Sequence, residues 1–366
     1  MTRTQGLSGR PTLSDVARLA GVSTAAASKA LNHRKDVSRS THERVIAAAT
    51  DLGYVGRSGI GVSPQIAFVA DTFSSLYTAQ VLAGACIEAA AQGIYLNTTH
   101  LEVDGDSENV PLTPTWLRSI AKTHIGLIVV TTPLSGALRS TCSRLGLPLV
   151  AVDPTTAPRD SLVTIGATNW NASMEATELL ISLGHRRIAF VGGPETSVPS
   201  FERYQGYLSA LKAHDVPHAS NLVRWSDFCF PGGVSAGDSL LSLRPEERPT
   251  GFICASDWIA LGVMDAARRR GMEIPGDISI IGFDDTEIAS TSTPRMTVVR
   301  QPMRELGSTA VRAILTLQSR PDAMSPMRLA TELIVRETTG PVPARVPPDS
   351  SVDSTRMAPP SNLPVG

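Results

Sequence analysis

The chain has 366 residues, 42% of them hydrophobic, and a formal net charge of −1 at pH 7. That is too long for one typical domain and apolar enough to bury two or three cores. The near-neutral total hides an asymmetry: residues 1–57 hold nine cations against four anions, and the remainder carries −6. A polyanion is therefore the expected partner of the N-terminal segment alone. No run approaches about 18 apolar residues, and the opening MTRTQGLSGRPTLSD lacks the apolar core of a signal peptide. No membrane partner is expected, and the chain is placed in the cytoplasm. Cys86, Cys142, Cys229 and Cys254 are far apart and lack metal-ligand spacing, so they read as buried free thiols of a reducing compartment.

Residues 1–11 read as a flexible arm, and from residue 12 the pattern turns helical. Thr12 and Asp15 have capping-box spacing, while Leu13, Val16, Ala17 and Ala20 follow the i, i+3, i+4, i+7 rule. Gly21 breaks that helix. Ser23 can cap a second one that ends near Leu31, and residues 32–37 form a polar connection. Ser38 or Ser40 caps a third helix with Val45, Ile46, Ala49 and Leu52 on its apolar side, stopped by Gly53. Helix, tight glycine turn, helix and bracing helix is the helix-turn-helix pattern, which places a DNA-binding domain at 12–57.

GRSGIGVSP (56–64) has linker composition, and residues 58–64 are taken as a short linker. Beyond it, apolar runs alternate with helical stretches. The runs are IAFVA (66–70), IYLNT (94–98), IGLIVV (125–130), PLVAV (148–152), RIAFVG (187–192), GFICAS (251–256) and ISIIGF (278–283). Such alternation means parallel sheets covered by helices, and roughly 270 residues suffice for two of them. The Pro/Ser-rich tail, 341–366, reads as disordered.

In open α/β sheets, ligands bind outside the carboxyl ends of the strands. Polar residues recur there: Asp71, Thr131, Asp153, Ser256 with Asp257, and Asp284 with Asp285. With Arg203, Tyr77, Phe228 and Trp170 available, they suit a polyhydroxylated ligand whose hydroxyls meet fixed donors and acceptors and whose ring meets an aromatic face. Any single Asp can instead cap the helix that follows it, as Asp257 before WIALGV; the recurrence is what favours a site. Catalysis is poorly supported. VGGPETS (191–197) follows a strand but matches neither GxGxxG nor GxxxxGK[ST], and Pro217 separates His214 from His218. Asp284–Asp285 stays open as an acid–base pair, but nothing supplies a nucleophile. No catalytic residue, metal or cofactor is assigned, and the chain is read as no enzyme.

TLSDVARLAGVSTAAASKALN followed by VSRSTHERVIAAATDLGY resembles the N-terminal domain of the lactose-repressor (LacI/GalR) family of bacterial transcriptional regulators. LGHRRIAFVGG, ERYQGY, ASDWIALGVMDAARRRGMEIPGDISIIGFDD and TVVRQP resemble that family's core, so the likeness spans about residues 12–340. It implies an all-α helix-turn-helix head and an α/β periplasmic-binding-protein-like core of two Rossmann-like parallel-sheet subdomains. Their expected spans are 65–166 with 300–327, and 167–299 with 328–340. It further implies a homodimer, or a tetramer, on double-stranded DNA with a pseudo-palindromic operator, answering to a small effector such as a sugar or nucleoside. By motif, Thr24, Ala25 and Lys29 fall at the base-reading positions and Ser28 near the backbone or an adjacent base. Thr12, Ser23, His33 and Ser38 fall at phosphate-contacting ones. Tyr77, Asp153, Arg203, Phe228, Ser256 and Asp284, with Gln301 as a further member, match effector-facing positions, whereas Asp257 and Asp285 read as structural caps. The expected function is an effector-responsive regulator, a repressor of a sugar-utilisation operon; the alternative is a transporter-type sugar-binding protein with a basic arm.

Two departures from the family stand out. Only GRSGIGVSPQ, with three glycines, separates Tyr54-Val55 from the first core strand. That is roughly a handful of residues too few for the hinge helix whose leucine wedges into the minor groove, and only Ile60 or Val62 is left to insert. The reading helix also carries Ala26 and Ala27 where the family has Thr-Val, which thins packing against Val16 and Val22 by about 1 kcal/mol or more.

Overall fold

A computed structural model describes residues 11–31, 37–52, 54, 63–101, 112–156 and 162–342. All of the expected arm (1–11) but Pro11, His33, most of the linker and residues 343–366 lie outside the described residues. The head consists of α1 (Leu13–Ala20), α2 (Thr24–Leu31) and α3 (Arg39–Leu52). Its small core is built from Val16, Ala17, Ala20, Ala27, Ala30, Leu31, Val45, Ala48 and Ala49, with Val22, Ile46 and Leu52 packed around it. Alanine-rich facing surfaces let three short helices close on one another.

The core continues with β1 (Gln65–Ala70), α4 (Leu76–Ala91), β2 (Tyr95–His100), α5 (Pro114–Ile120), β3 (His124–Val130), α6 (Gly136–Leu145), β4 (Leu149–Val152), β5 (Val163–Ala167) and α7 (Asn169–Ser182). Then come β6 (Ile188–Gly192), α8 (Val198–Ala213), β7 (Val223–Trp225), α9 (Phe230–Leu241), β8 (Gly251–Cys254), α10 (Asp257–Arg268), β9 (Ser279–Asp284) and α11 (Glu287–Thr291). The chain closes with β10 (Thr297–Arg300), α12 (Met303–Ser319), β11 (Met327–Leu329) and β12 (Glu332–Ile334). Two six-stranded sheets result, ordered β11-β5-β4-β3-β1-β2 and β12-β10-β9-β8-β6-β7. In each, the first strand lies between the second and third, which creates a topological switch point, β1/β3 in one and β6/β8 in the other. From β11 to β2 in the first sheet, and from β7 through β6 and β8 to β9 in the second, neighbours pair in parallel, for example Phe68 opposite Ile128 and Phe252 opposite Ile280.

Parallel strands buried on both faces read as continuous apolar runs, which accounts for six of the seven runs; the seventh, IYLNT, forms the exposed edge strand β2. Ile66, Phe68 and Ala70 face the core under α4 and α12, while Ala67 and Val69 face the opposite one under α5 and α6. The strands β5, β7, β10, β11 and β12 were not anticipated. Four of them have three or four residues, and β5, VTIGA, dilutes its apolar character with Thr and Gly.

The chain divides into two compact units. One comprises residues up to Ala172, Pro194–Gly206 and Arg300–Glu332; the other comprises Ser173–Gly193, Tyr207–Val299 and the chain from Leu333. Residues 194–206 thus belong with the first unit rather than the second, because Arg203 and Glu202 on the first turns of α8 are bonded to Asn169 and Arg328. The ordered core also runs past the expected tail border at 341. The Val342 amide donates to Leu183 O at 2.9 Å and its side chain covers Gly184. Of the cysteines, only Cys142 and Cys254 are buried; Cys86 is exposed, and half-buried Cys229 caps α9. Burial pushes the Cys142 thiol up to about 11.

Candidate functional site

In the head, each helix start is fixed by a hydroxyl. Thr12 Oγ1 accepts from the Asp15 amide at 3.3 Å and donates to Asp15 Oδ2 at 2.6 Å, and Asp15 accepts the Thr12 amide in return. These bonds hold the Asp15 carboxyl below its ordinary value. Gly21 closes α1 in the left-handed region at φ 64°. Ser23 Oγ accepts from the Ala26 amide at 3.1 Å, and Ser38 Oγ from the Thr41 amide at 3.3 Å, so Ser38 rather than Ser40 caps α3. The hydroxyls of Thr12, Ser23 and Ser38 are therefore engaged in capping, and the helix starts also carry amides suited to an anion. On α2, Ala27, Ala30 and Leu31 are buried, Ala26 and Ser28 half-buried, and Thr24, Ala25 and Lys29 exposed.

In the first unit, the strand ends gather polar groups. Thr131 Oγ1 donates to Asp71 Oδ1 at 2.5 Å across the β1/β3 switch point, and His100 Nε2 donates to Asp71 O at 2.7 Å. Burial raises the Asp71 carboxyl, although the Thr131 hydroxyl opposes the shift. Tyr77 Oη donates to Asp153 Oδ2 at 2.5 Å. Asp153 is 6% exposed, and burial raises its carboxyl against the opposing pull of Tyr77 and Arg203. Its carboxylate lies over Gly166, where a Cβ would displace it. Arg203, 4% exposed, donates from Nε to Asn169 Oδ1 at 2.9 Å. Asn169 Nδ2 donates to Glu202 Oε2 at 2.9 Å, and Glu202 Oε1 accepts from Arg328 Nη2 at 3.3 Å. Buried Gln301 directly follows β10.

In the second unit, the Phe228 ring lies against Gly193 and the Trp225 ring against Gly192. The glycines of VGG are there because any side chain would strike an aromatic face. Ser256, expected among the effector contacts, is the N-cap of α10 and accepts from the Ile259 amide at 3.2 Å. Asp257 is not a cap. Its Oδ2 accepts from the Thr286 amide at 2.7 Å and the Thr286 hydroxyl at 2.8 Å, tying the end of β9 to the start of α10. Burial and the neighbouring Asp284 charge raise its carboxyl well above the ordinary range. Asp285 is no cap either, since it pairs with Arg336 at 2.7 Å.

Among the described residues, five non-glycines have left-handed backbone, and four of them are strand-end residues: Thr131 (φ 50°), Asp153 (φ 42°), Asp284 (φ 115°) and Asp285 (φ 60°). Each costs about 1–3 kcal/mol, strain that persists where the surroundings over-determine it and that clusters at ligand sites. Sequence reasoning missed Asn169, Glu202 and Arg328, which reach Arg203 through bonds that span up to 126 positions and leave no local pattern. Among the described residues no group of His, Cys, Asp or Glu is placed to hold a metal ion, and no helix is long and apolar enough to cross a membrane.

A helix-turn-helix head followed by two sheets with polar strand ends defines a DNA-binding regulator with a binding-protein-like core. Residues 12–56 match the bacterial regulatory proteins of the lacI family, and 177–339 match the periplasmic binding protein-like domain. The HTH-type transcriptional repressor CytR of Escherichia coli (strain K12) is 31% identical over 347 residues, covering 91% of this chain and 97% of the relative. The lac repressor dimer bound to operator and the anti-inducer ONPF superposes with a TM-score of 0.73 at 27% identity, covering 91% of this chain and all of that one. The transcriptional regulator CelR in complex with cellobiose gives 0.65 at 27% identity, covering 90% and 100%. The chain belongs to the lacI family and is an HTH-type transcriptional regulator.

Proposed function

We propose that the chain is an effector-controlled repressor that binds a pseudo-palindromic operator as a homodimer, with a tetramer as a pair of such dimers. The observation that carries this reading is the exposure of Thr24, Ala25 and Lys29 on one capped helix of a complete head. Thr24 and Lys29 offer hydrogen bonds to base edges, and Ala25 offers a methyl surface to a thymine methyl. Ser28 lies nearer the backbone. Thr12, Ser23 and Ser38 contribute chiefly through the amides they position, because the Thr12 hydroxyl is already bonded to Asp15. His33 is proposed as a phosphate contact on the family likeness alone. A single head makes few phosphate contacts, so two heads across a dyad are needed for useful affinity. Ile87 on α4 and Tyr95 on edge strand β2, each 63% exposed, supply apolar surface for the pairing. The protein acts on cytoplasmic DNA and as no enzyme, in keeping with relatives that are regulators.

The effector is proposed to be sugar-like. Tyr77, Asp153, Arg203, Phe228, Ser256, Asp284 and Gln301 are proposed as its contacts on the family likeness, supported by the strained strand ends and by the cellobiose complex of CelR. Coupling of about 1–3 kcal/mol between effector and operator would shift DNA affinity roughly 5–150-fold. A thermal-shift panel of cellobiose, ribose and nucleosides tests the effector assignment. A binding compound raises the melting temperature of the wild type but not of Asp153→Asn. A panel that moves neither protein contradicts it.

A further inference from the structure

Arg203 enters the fold as a buried cation on a long, flexible stem, and such a group must be aimed before it can recognise a hydroxyl or an acid. Its Nε–H is taken by Asn169, the first residue of α7 and only 2% exposed. The Asn169 amide works in two directions at once. Its oxygen accepts from Arg203 and its nitrogen donates to Glu202. Those two ends cannot be exchanged, because a flipped amide would set NH2 against the guanidinium and a carbonyl against a carboxylate. Glu202 is itself held by Arg328, whose Nη1 donates to Thr164 Oγ1 at 3.4 Å.

We propose that Asn169 is a positioning residue that aims the Arg203 guanidinium for the effector, with Glu202 and Arg328 fixing the way its amide faces. The proposal rests on the reading of Arg203 as an effector contact. Fixing Nε–H fixes the guanidinium plane, so the remaining edge of the fork takes one direction and no entropy is lost in selecting it on binding. The order along the network is cation, amide, anion, cation, so each charge faces a group of suitable polarity. An alanine at 169 removes the partner of Arg203 Nε and of Glu202 Oε2 together. An aspartate keeps the acceptor for Arg203 but confronts Glu202 with a second carboxylate.

The test uses the full chain, titrated calorimetrically with cellobiose, ribose and adenosine. Asn169→Ala is expected to weaken whichever probe binds by about tenfold or more, the scale of a lost bond to a charged group. Operator affinity without ligand stays unchanged, and Glu202→Gln, which keeps an acceptor for Asn169, keeps most of the binding. In an Arg203→Ala background, Asn169→Ala adds nothing further, whereas a merely structural role would give additive losses. If Arg203→Ala leaves affinity intact, the effector reading of Arg203 fails. If Arg203→Ala weakens binding and Asn169→Ala does not, the positioning proposal fails by itself. The NMR signal of the Arg203 Nε–H, assigned by its loss in Arg203→Lys, decides the matter when none of the probes binds. It should exchange slowly in the wild type and Glu202→Gln and rapidly in Asn169→Ala; slow exchange in Asn169→Ala overturns the proposal. Should Asn169→Ala not fold, Asn169→Ser gives the same readings.

Discussion

His185 is fully buried, and its ring ties together three segments of the second unit. Nε2 lies 3.1 Å from Gly340 O and 3.0 Å from Ser279 Oγ, and Nδ1 lies 2.9 Å from Thr250 Oγ1. A ring that donates to Gly340 O from Nε2 accepts from the Thr250 hydroxyl at Nδ1, so the fold holds the neutral form. Burial lowers its affinity for a proton below the ordinary value of 6.5, with the Gly340 bond opposing. The unfolded chain then binds more protons than the folded one as the pH falls below 6.5. The contribution is intact above that value and is lost as the pH drops through the lower folded value. His124, lowered in the same direction by burial, adds to the slope. The melting temperature should fall on acidification from 7 to 5, and His185→Gln should be less stable at pH 7 by about 1–3 kcal/mol with a shallower slope. An unchanged slope would contradict this account. Residue roles were the least legible part of the sequence. Asp257 reads as a cap, yet Ser256 makes the cap and Asp257 the tether, because cap geometry depends on backbone angles that one letter does not encode.

At the scale of elements, close helix pairs recur. In the first unit, Gly84 of α4 lies against the Arg304 backbone and Gly307 of α12 against Val81 O, so the two helices touch through their backbones. In the second, Gly233 of α9 and Gly262 of α10 meet in the same reciprocal way. A Cβ at Gly307 would sit inside the Val81 carbonyl, so the helix pair must separate to admit it. Gly307→Ala is expected to destabilise the chain by about 1–3 kcal/mol in a denaturant melt, although alanine favours a helix. Wild-type stability in that variant would contradict the packing. Long buried strands and capped helices were legible because burial on both faces and a Ser or Thr before an apolar stripe are local signals. The three-residue edge strands were not, since segments such as VRW or ELI become strands only when a neighbour supplies the hydrogen bonds. The alanines of α2 divide in the same way: Ala27 and Ala30 are buried in the core of the head, while Ala25 is exposed.

For the whole molecule, the family, the head and the two-sheet core could be read from the sequence, because motif and period persist over hundreds of residues. The partners of Arg203 could not, because they are joined only by folding. Pairing of two chains is a property of this scale. A charge on the exposed apolar residues of α4 and β2, as in Ile87→Asp with Tyr95→Asp, should shift the sedimentation coefficient to that of a monomer and weaken operator binding at least tenfold. A dimer that survives both changes would place the pairing face elsewhere. The central claim is that α2 reads DNA as one half of a symmetric pair. Selection from a random duplex library with the wild type and with Lys29→Ala measures that claim most directly. The wild type should enrich a two-fold symmetric motif, and Lys29→Ala should relax the base preference at one position in each half-site, at a cost of about 1–3 kcal/mol. No symmetric motif, or the same motif bound equally tightly by Lys29→Ala, would contradict it.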